Sequence, residues 1–340
     1  MHKTSSRLGV VLLLLAGALA GCSKSNSPSS SITDPTGGSS SGASLEQSNV
    51  TSAMSGTPEL IEDGIAESAD QTDLSGADAM GATIDATRPI IFFRKINSVN
   101  RRFEFAFSDT DSTGRPTSVA VGIFKTLKGT FNILERTVPD STPPDTTPPP
   151  SSGSIGMRPH PGLPDSTLHL VSKPLEDHWE RHLLLKRVHI NGRDSKGFTF
   201  WRVAATSGVK VTSAGATTQI MSLRIQSGDL DTTITDPLAL FRLRRVLRLT
   251  AGSMVTLTAT TGRNDDVVVL NYWQLRRKFH NNGDNTYTAQ VRAGWLGGCN
   301  HFGVNALSHG TLFDDAAAYD SQAWILPYVV EPTELAEFMP

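Results

Sequence analysis

The chain has 340 residues, 38% of them hydrophobic, and its 31 Lys and Arg residues nearly balance 33 Asp and Glu residues, for a formal net charge of −2. This composition excludes a wholly disordered protein. The near-neutral charge argues against a nucleic-acid partner, because binding to phosphates needs a net basic surface. Two cysteines are too few for the disulfide framework of a small secreted scaffold.

The N-terminus predicts where the protein is located. A short basic start precedes a 13-residue apolar run from Leu8 to Ala20. That run is shorter than the roughly 20 residues that cross a bilayer and is typical of a signal peptide. It ends in Leu19-Ala20-Gly21-Cys22, which resembles the lipobox of bacterial lipoproteins.

This resemblance implies a lipid anchor. In that family residues 1–21 would be removed as the signal peptide, and Cys22 would receive covalent lipid on its thiol and on its new amine. Several acyl chains hold a protein on a membrane without any transmembrane helix. Residue 23 is Ser rather than Asp, which in this family favours the outer membrane of the cell envelope. The alternative is an ordinary secretory signal in which the cysteine has no role.

Two segments of biased composition follow the anchor. Residues 22–57 are rich in Ser and Gly, which predicts a flexible linker. Residues 58–87 hold eight acidic and no basic side chains, and Thr57-Pro58 suits the start of a helix. We predict an acidic, partly helical spacer there. A partner-binding acidic helix is the alternative.

From residue 88 onward the chain is typical of β-strands. Phe103, Phe105 and Phe107 alternate with small or polar residues, which is the period of a half-buried strand. The sequence predicts a first β-rich domain over 88–237. Its loop 139–164 contains nine of the 19 prolines and favours extended, exposed backbone.

A second β domain is predicted over 238–330, followed by a tail at 331–340. Turn signals recur every 8–12 residues or so, as in antiparallel sandwiches. The stretches Gly283-Asp-Asn-Thr-Tyr-Thr-Ala289 and Phe302-Gly-Val-Asn-Ala306 are similar to the later strands of bacterial immunoglobulin-like surface domains. The resemblance implies an immunoglobulin-like sandwich, and it concerns architecture rather than activity. The expected fold class is all-β, with two β-rich domains.

Two short patterns suggest metal sites. On a strand His178, Glu180 and His182 share one face and offer ligands that suit Zn²⁺. The alternative is a solvated strand face opposite a buried one. Oxygen ligands for Ca²⁺ are offered by Asp109, Asp111 and Thr113. The twelfth position of such a loop is Ala120 rather than the usual Glu, which favours a plain hairpin loop.

The sequence indicates a binding or structural role. Trp295 lies between glycines and is the best candidate for stacking on a sugar, although strand aromatics are mostly core residues. We expect a lipid-anchored envelope protein with a structural, adhesive or ligand-binding role, a protein or glycan partner, no catalytic activity and no cofactor beyond the lipid. The alternative is an envelope metal-dependent hydrolase that uses His178, Glu180 and His182.

Overall fold

A computed structural model of the chain describes residues 41–58, 61–68, 71–74, 87–137, 167–190, 198–272, 275–295 and 298–331. All of them belong to one compact unit, Ser31–Pro340. Strands dominate and two short helices are present in these ranges, which confirms the all-β class. The predicted signal peptide, Cys22 and the proline-rich loop 139–164 lie outside the described residues.

The larger sheet has eleven strands. One edge of the sheet is the short strand β1 Thr72–Asp73. The next four strands in order are β2 Thr87–Thr110, β3 Pro116–Thr137, β4 Thr167–Ile190 and β5 Phe198–Ser213. It continues with the C-terminal strands β16 Ser321–Glu331, β15 Gly298–Leu307, β11 Val267–Tyr272 and β12 Leu275–Lys278. Two short strands lie off this path, β8 Phe241–Arg242 on β5 and β9 Leu247–Thr250 parallel to β16. The terminal strands β1 and β12 contact each other, so the sheet curls and encloses an inner face.

The smaller sheet has five strands, β13 His280–Asn281, β14 Thr286–Arg292, β10 Met254–Thr261, β6 Ile220–Ser227 and β7 Leu230–Ile234. It packs on the outer face of β11, β15 and β16, through a core that includes Leu257, Tyr287 and Leu326. The two sheets therefore form a sandwich. Because β15 and β16 are covered on both faces, β16 is buried along almost its whole length and β15 over its last six residues, as strands with two packed faces are.

The structure differs from the predicted division at residue 237. Strand β16 comes from the C-terminal range, yet it pairs directly with β5 from the N-terminal range. Strands β6 and β7 lie before residue 237 and belong to the sandwich. The polar stretch 229–237 resembles a linker because β7 is an edge strand whose core-facing residues, Leu230 and Ile234, are only partly buried.

The predicted flexible linker contains a helix, α1, over Ser41–Ser55. Its Val50 and Met54 are buried against the inner face of the larger sheet. Near its start, Glu46 accepts hydrogen bonds from Trp201 Nε1 at 3.1 Å and from Arg187 Nη2 at 3.2 Å. Tertiary packing of this kind, rather than helix propensity, stabilises most short helices, and this is why a Ser/Gly-rich composition fails to predict it.

The described part of the acidic spacer packs against the inner face of the sheet, with Asp63 buried and Glu62 and Glu67 partly exposed. Within the described residues 61–68, Glu62 and Glu67 contact Lys125 Nζ at 2.6 and 2.7 Å. Asp63 accepts a hydrogen bond from Trp179 Nε1 at 2.7 Å. Burial raises the pKa of Glu62, but the neighbouring Lys125 and Arg101 charges outweigh it and leave that pKa below its usual value. The acidic residues are therefore the counter-ions of buried bases.

A second helix, α2, covers His309–Phe313 near the opposite end of the curled sheet. The Ser308 hydroxyl accepts from the backbone N–H of Thr311 and caps its start. Lys173 of β4 donates to the carbonyls of Gly310 at 3.1 Å and Asp314 at 2.7 Å. This lysine holds α2 and the turn after it against the sheet.

Candidate functional site

The candidate site is a groove of about 500 Å³ on the outer face of β2, β3, β4 and β5. The antiparallel register places its side chains in two rows across the four strands. One row contains Asn100, Thr126, His178 and Thr212, and the next contains Arg102, Phe124, Glu180 and Lys210. Four strands about 4.8 Å apart make a platform roughly 14 Å wide.

An aromatic ring lies flat in the groove. The Phe124 ring leans over Gly122, where an added Cβ would lie only 2.8 Å from Cε2 of that ring. The Arg102 guanidinium lies above the ring, with its carbon 4.8 Å from the ring centroid. Gly122 thus allows an aromatic ring to lie on the sheet with a cation stacked on it, a favourable arrangement.

One wall of the groove continues into a contact between a histidine and a carboxylate. His182 Nε2 lies 2.9 Å from Glu180 Oε1. A bulge interrupts the β4–β5 ladder at this position, and the backbone N–H of His182 donates to the Ser207 hydroxyl at 2.8 Å instead. Bulges of this kind re-aim side chains beside binding sites.

The groove favours an anionic, hydroxyl-rich ligand. Arg102 and Lys210 supply two positive charges, of which Arg102 also pairs with Glu104 at 2.7 Å, and the one lining carboxylate, Glu180, contacts His182. Asn100, Thr126 and Thr212 supply hydrogen-bonding groups. The amide and hydroxyl groups are suited to a saccharide, and the cations are suited to a carboxylate or phosphate on it.

The three residues predicted to bind zinc lie on the outer face of β4, at the groove or next to it. His178 and Glu180 line the groove and His182 adjoins it. Within the described chain, however, three donor atoms within 4.8 Å of one another come from Glu135, His169 and Asp315. The zinc site at His178, Glu180 and His182 stays a prediction.

The group of Glu135, His169 and Asp315 lies at the inner rim of the sheet, near α2. Glu135 and His169 are cross-strand partners. Burial raises the pKa of Glu135, and the nearby Asp315 charge adds to that effect. The nearby His169 and Lys173 charges offset only part of this rise.

The carboxylates of the predicted calcium loop are used within the loop. Asp111 Oδ1 accepts from the backbone N–H groups of Thr113 at 2.8 Å and Arg115 at 3.0 Å, and from the Thr113 hydroxyl at 2.6 Å. Ser118 donates to Asp109 Oδ2 at 2.7 Å. These bonds build the β2–β3 hairpin turn, which is the alternative that the sequence left open. They also lower the pKa of Asp111, chiefly through the Thr113 hydroxyl.

Trp295 lies away from the groove. Its side chain is 74% exposed, and its ring lies against Gly252, where an added Cβ would be 2.4 Å from the ring. Gly252 also has a positive φ of 71°, a conformation that favours glycine. One ring face is therefore supported and the other is open, as a stacking platform requires.

The buried charges of the inner face were not among the residues predicted from the sequence. Asp177 pairs with Arg94, and Arg181 lies fully buried with Nη2 3.3 Å from His301 Nε2. Burial, together with the Arg181 charge, lowers the pKa of His301 to about 4. The sequence does carry one indication of such buried charges, a charged residue at an apolar position of an alternating strand. Lys125 between Ile123 and Leu127 is an example.

Comparison of the chain with family models, with curated proteins and with solved structures finds no match. The function is therefore inferred from the residues and the geometry of this chain alone. Among the described helices, none is long and apolar enough to cross a membrane.

Proposed function

We propose that this protein is a lipid-anchored protein of the bacterial outer membrane that binds an anionic glycan in the groove of β2–β5 and performs no catalysis. The anchor is supported by Leu19-Ala20-Gly21-Cys22 after a short apolar run. The binding role is carried by one observation, the cross-strand row in which Arg102 and Lys210 flank Phe124 and Glu180. A rigid four-strand platform keeps such side chains in place without a ligand, which lowers the entropy cost of binding.

The anchor is tested by expressing the full chain and its Cys22→Ala variant in a two-membrane bacterium. We expect the wild type in the outer-membrane fraction, with lipid on Cys22 detected by mass spectrometry, and the variant outside that fraction. An inhibitor of lipoprotein signal peptidase should cause accumulation of the unprocessed wild type. Unchanged membrane fractionation of Cys22→Ala, with an unmodified Cys22 in the wild type, would contradict the anchor.

The groove is tested by titrating uronate and sugar-phosphate oligosaccharides, with neutral oligosaccharides as the comparison. We expect the Arg102→Ala/Lys210→Ala variant to bind the anionic ligands about tenfold more weakly or worse, because each loses a charge-assisted contact. Binding by the wild type should weaken as salt is added. The matched control, Lys95→Ala/Lys128→Ala, removes two exposed bases of β2 and β3 outside the groove and should bind normally. Equal binding of neutral and anionic ligands would reject the charge assignment.

The second candidate is a metal-dependent hydrolase. The observation that favours it is the Glu180–His182 contact of 2.9 Å on the face that also carries His178. One zinc ion per chain, retained by the purified wild type and lost in His178→Ala and His182→Ala, would favour this alternative over the glycan-binding role.

A further inference from the structure

The tip of the β4–β5 hairpin presents bulky apolar side chains to solvent. Ile190, Phe198 and Phe200 are 43%, 59% and 37% exposed. Cross-strand pairing of Ile190 with Phe198 and of Val188 with Phe200 puts all four on one face. The two phenylalanine rings stack with their centroids 5.7 Å apart. Such a cluster on a projecting hairpin is unfavourable in water and marks an interaction surface.

A basic pair lies directly behind this apolar tip. Lys186 and Arg202 are the next cross-strand pair on the same face, and both are exposed. An apolar end followed by cations matches the layers of a membrane surface, where acyl chains lie below anionic headgroups.

The chain enters the fold at this same end of the sheet. The ion pair of Glu46 with Arg187 and its hydrogen bond with Trp201 place the start of α1 beside the hairpin. The preceding residue, Leu45, is 63% exposed. Only residues 23–40 separate Cys22 from the start of α1. A Ser/Gly-rich chain of 18 residues has a mean span of about 20–25 Å.

We propose that the β4–β5 hairpin tip, through Ile190, Phe198 and Phe200, docks onto the bilayer in which Cys22 is anchored. This inference rests on the proposed lipid anchor. Docking of this kind would orient the larger sheet with the β4–β5 hairpin toward the membrane. The groove would then stand about 30 Å from the lipid surface, since Glu180 is ten residues from Ile190 on β4 at roughly 3.3 Å per residue.

The test measures vesicle binding without the lipid anchor. The chain from residue 22 with Cys22→Ser is floated with vesicles of phosphatidylethanolamine and a minor fraction of phosphatidylglycerol. We expect Phe198→Ser/Phe200→Ser to weaken partitioning about tenfold or more, because two aromatic rings no longer enter the interface. Lys186→Glu/Arg202→Glu should lose binding chiefly to vesicles that contain phosphatidylglycerol.

The matched control is Leu168→Ser/Leu170→Ser. These residues are 61% and 54% exposed and lie at the opposite end of the same strand, so this variant should bind vesicles like the parent. The proposal is overturned if the parent chain does not bind vesicles, if the control loses binding equally, or if Phe198→Ser/Phe200→Ser abolishes self-association of the chain without changing vesicle binding. Mass spectrometry of Cys22 tests the anchor separately, so the two proposals can fail independently.

Discussion

Replacing Lys125 by methionine should lower the free energy of unfolding by about 1–2 kcal/mol, because Glu62 and Glu67 lose a cation while keeping part of their hydration. The Lys125 side chain is only 1% exposed. Its ammonium group contacts Glu62 and Glu67 and lies 4.6 Å from the Trp179 ring centroid. Methionine keeps the volume and removes the charge, so the two carboxylates would lose their shared cation. Urea denaturation followed by tryptophan fluorescence measures the loss.

The same strand provides the control for this experiment. Lys128 also forms an ion pair, with Glu176 at 3.0 Å, but its side chain is 58% exposed. Lys128→Met should therefore change stability by less than about 0.5 kcal/mol. Adding Glu62→Gln and Glu67→Gln to Lys125→Met should restore part of the loss, because the uncompensated charges are then gone. Equal effects of the two lysine variants would show that the inner-face pairs contribute no more than surface pairs.

The alternation of side chains between the two faces of a single strand could be predicted from the sequence, and it assigned residues to the correct face. Phe103, Phe105 and Phe107 do share the inner, partly buried face. His178 and Glu180 share the outer one. The side-chain period of a strand is fixed by its backbone, so no knowledge of neighbouring strands is needed to assign a face.

The composition of the groove could not be predicted in this way. Arg102, Phe124 and Lys210 meet Glu180 only because β2, β3, β4 and β5 pair in one register. A shift by one residue would turn each side chain to the other face. The bulge that presents His182 depends in addition on Ser207, a residue 25 positions away.

The role of the N-terminal segment was hidden for a related reason. Composition correctly shows that residues 41–74 cannot form a core alone, but it does not show that the larger sheet encloses an inner face to receive them. Asp63 accepts its hydrogen bond from Trp179, which lies 116 positions further along the chain, and Glu46 accepts one from Trp201, which lies 155 positions further along. Of the acidic residues that appear solvated in sequence, Glu62 and Glu67 pair with Lys125, and Asp63 is buried.

The segment that would lead to the lipid anchor therefore also fills the sheet. In the proposed lipoprotein, a pull on the tether would act on α1 and hence on the inner core. The helix contributes through Val50, Met54 and the Glu46 bonds to Arg187 and Trp201. Its attachment should consequently be the feature on which the stability of the anchored protein most depends.

Replacing Val50 by aspartate should detach α1 and destabilise the protein by about 4 kcal/mol, since an unpaired carboxylate would be buried where no exposed surface remains. Val50 is 0% exposed and packs with the inner-face core. Asn49→Asp adds the same charge at the neighbouring exposed position and should change stability by less than about 0.5 kcal/mol. Hydrogen exchange should show lost protection over 45–55 in Val50→Asp and unchanged protection in Asn49→Asp. Retained protection of α1 in Val50→Asp would mean that the Glu46 contacts alone hold the helix, and the inner core would then be independent of the tether.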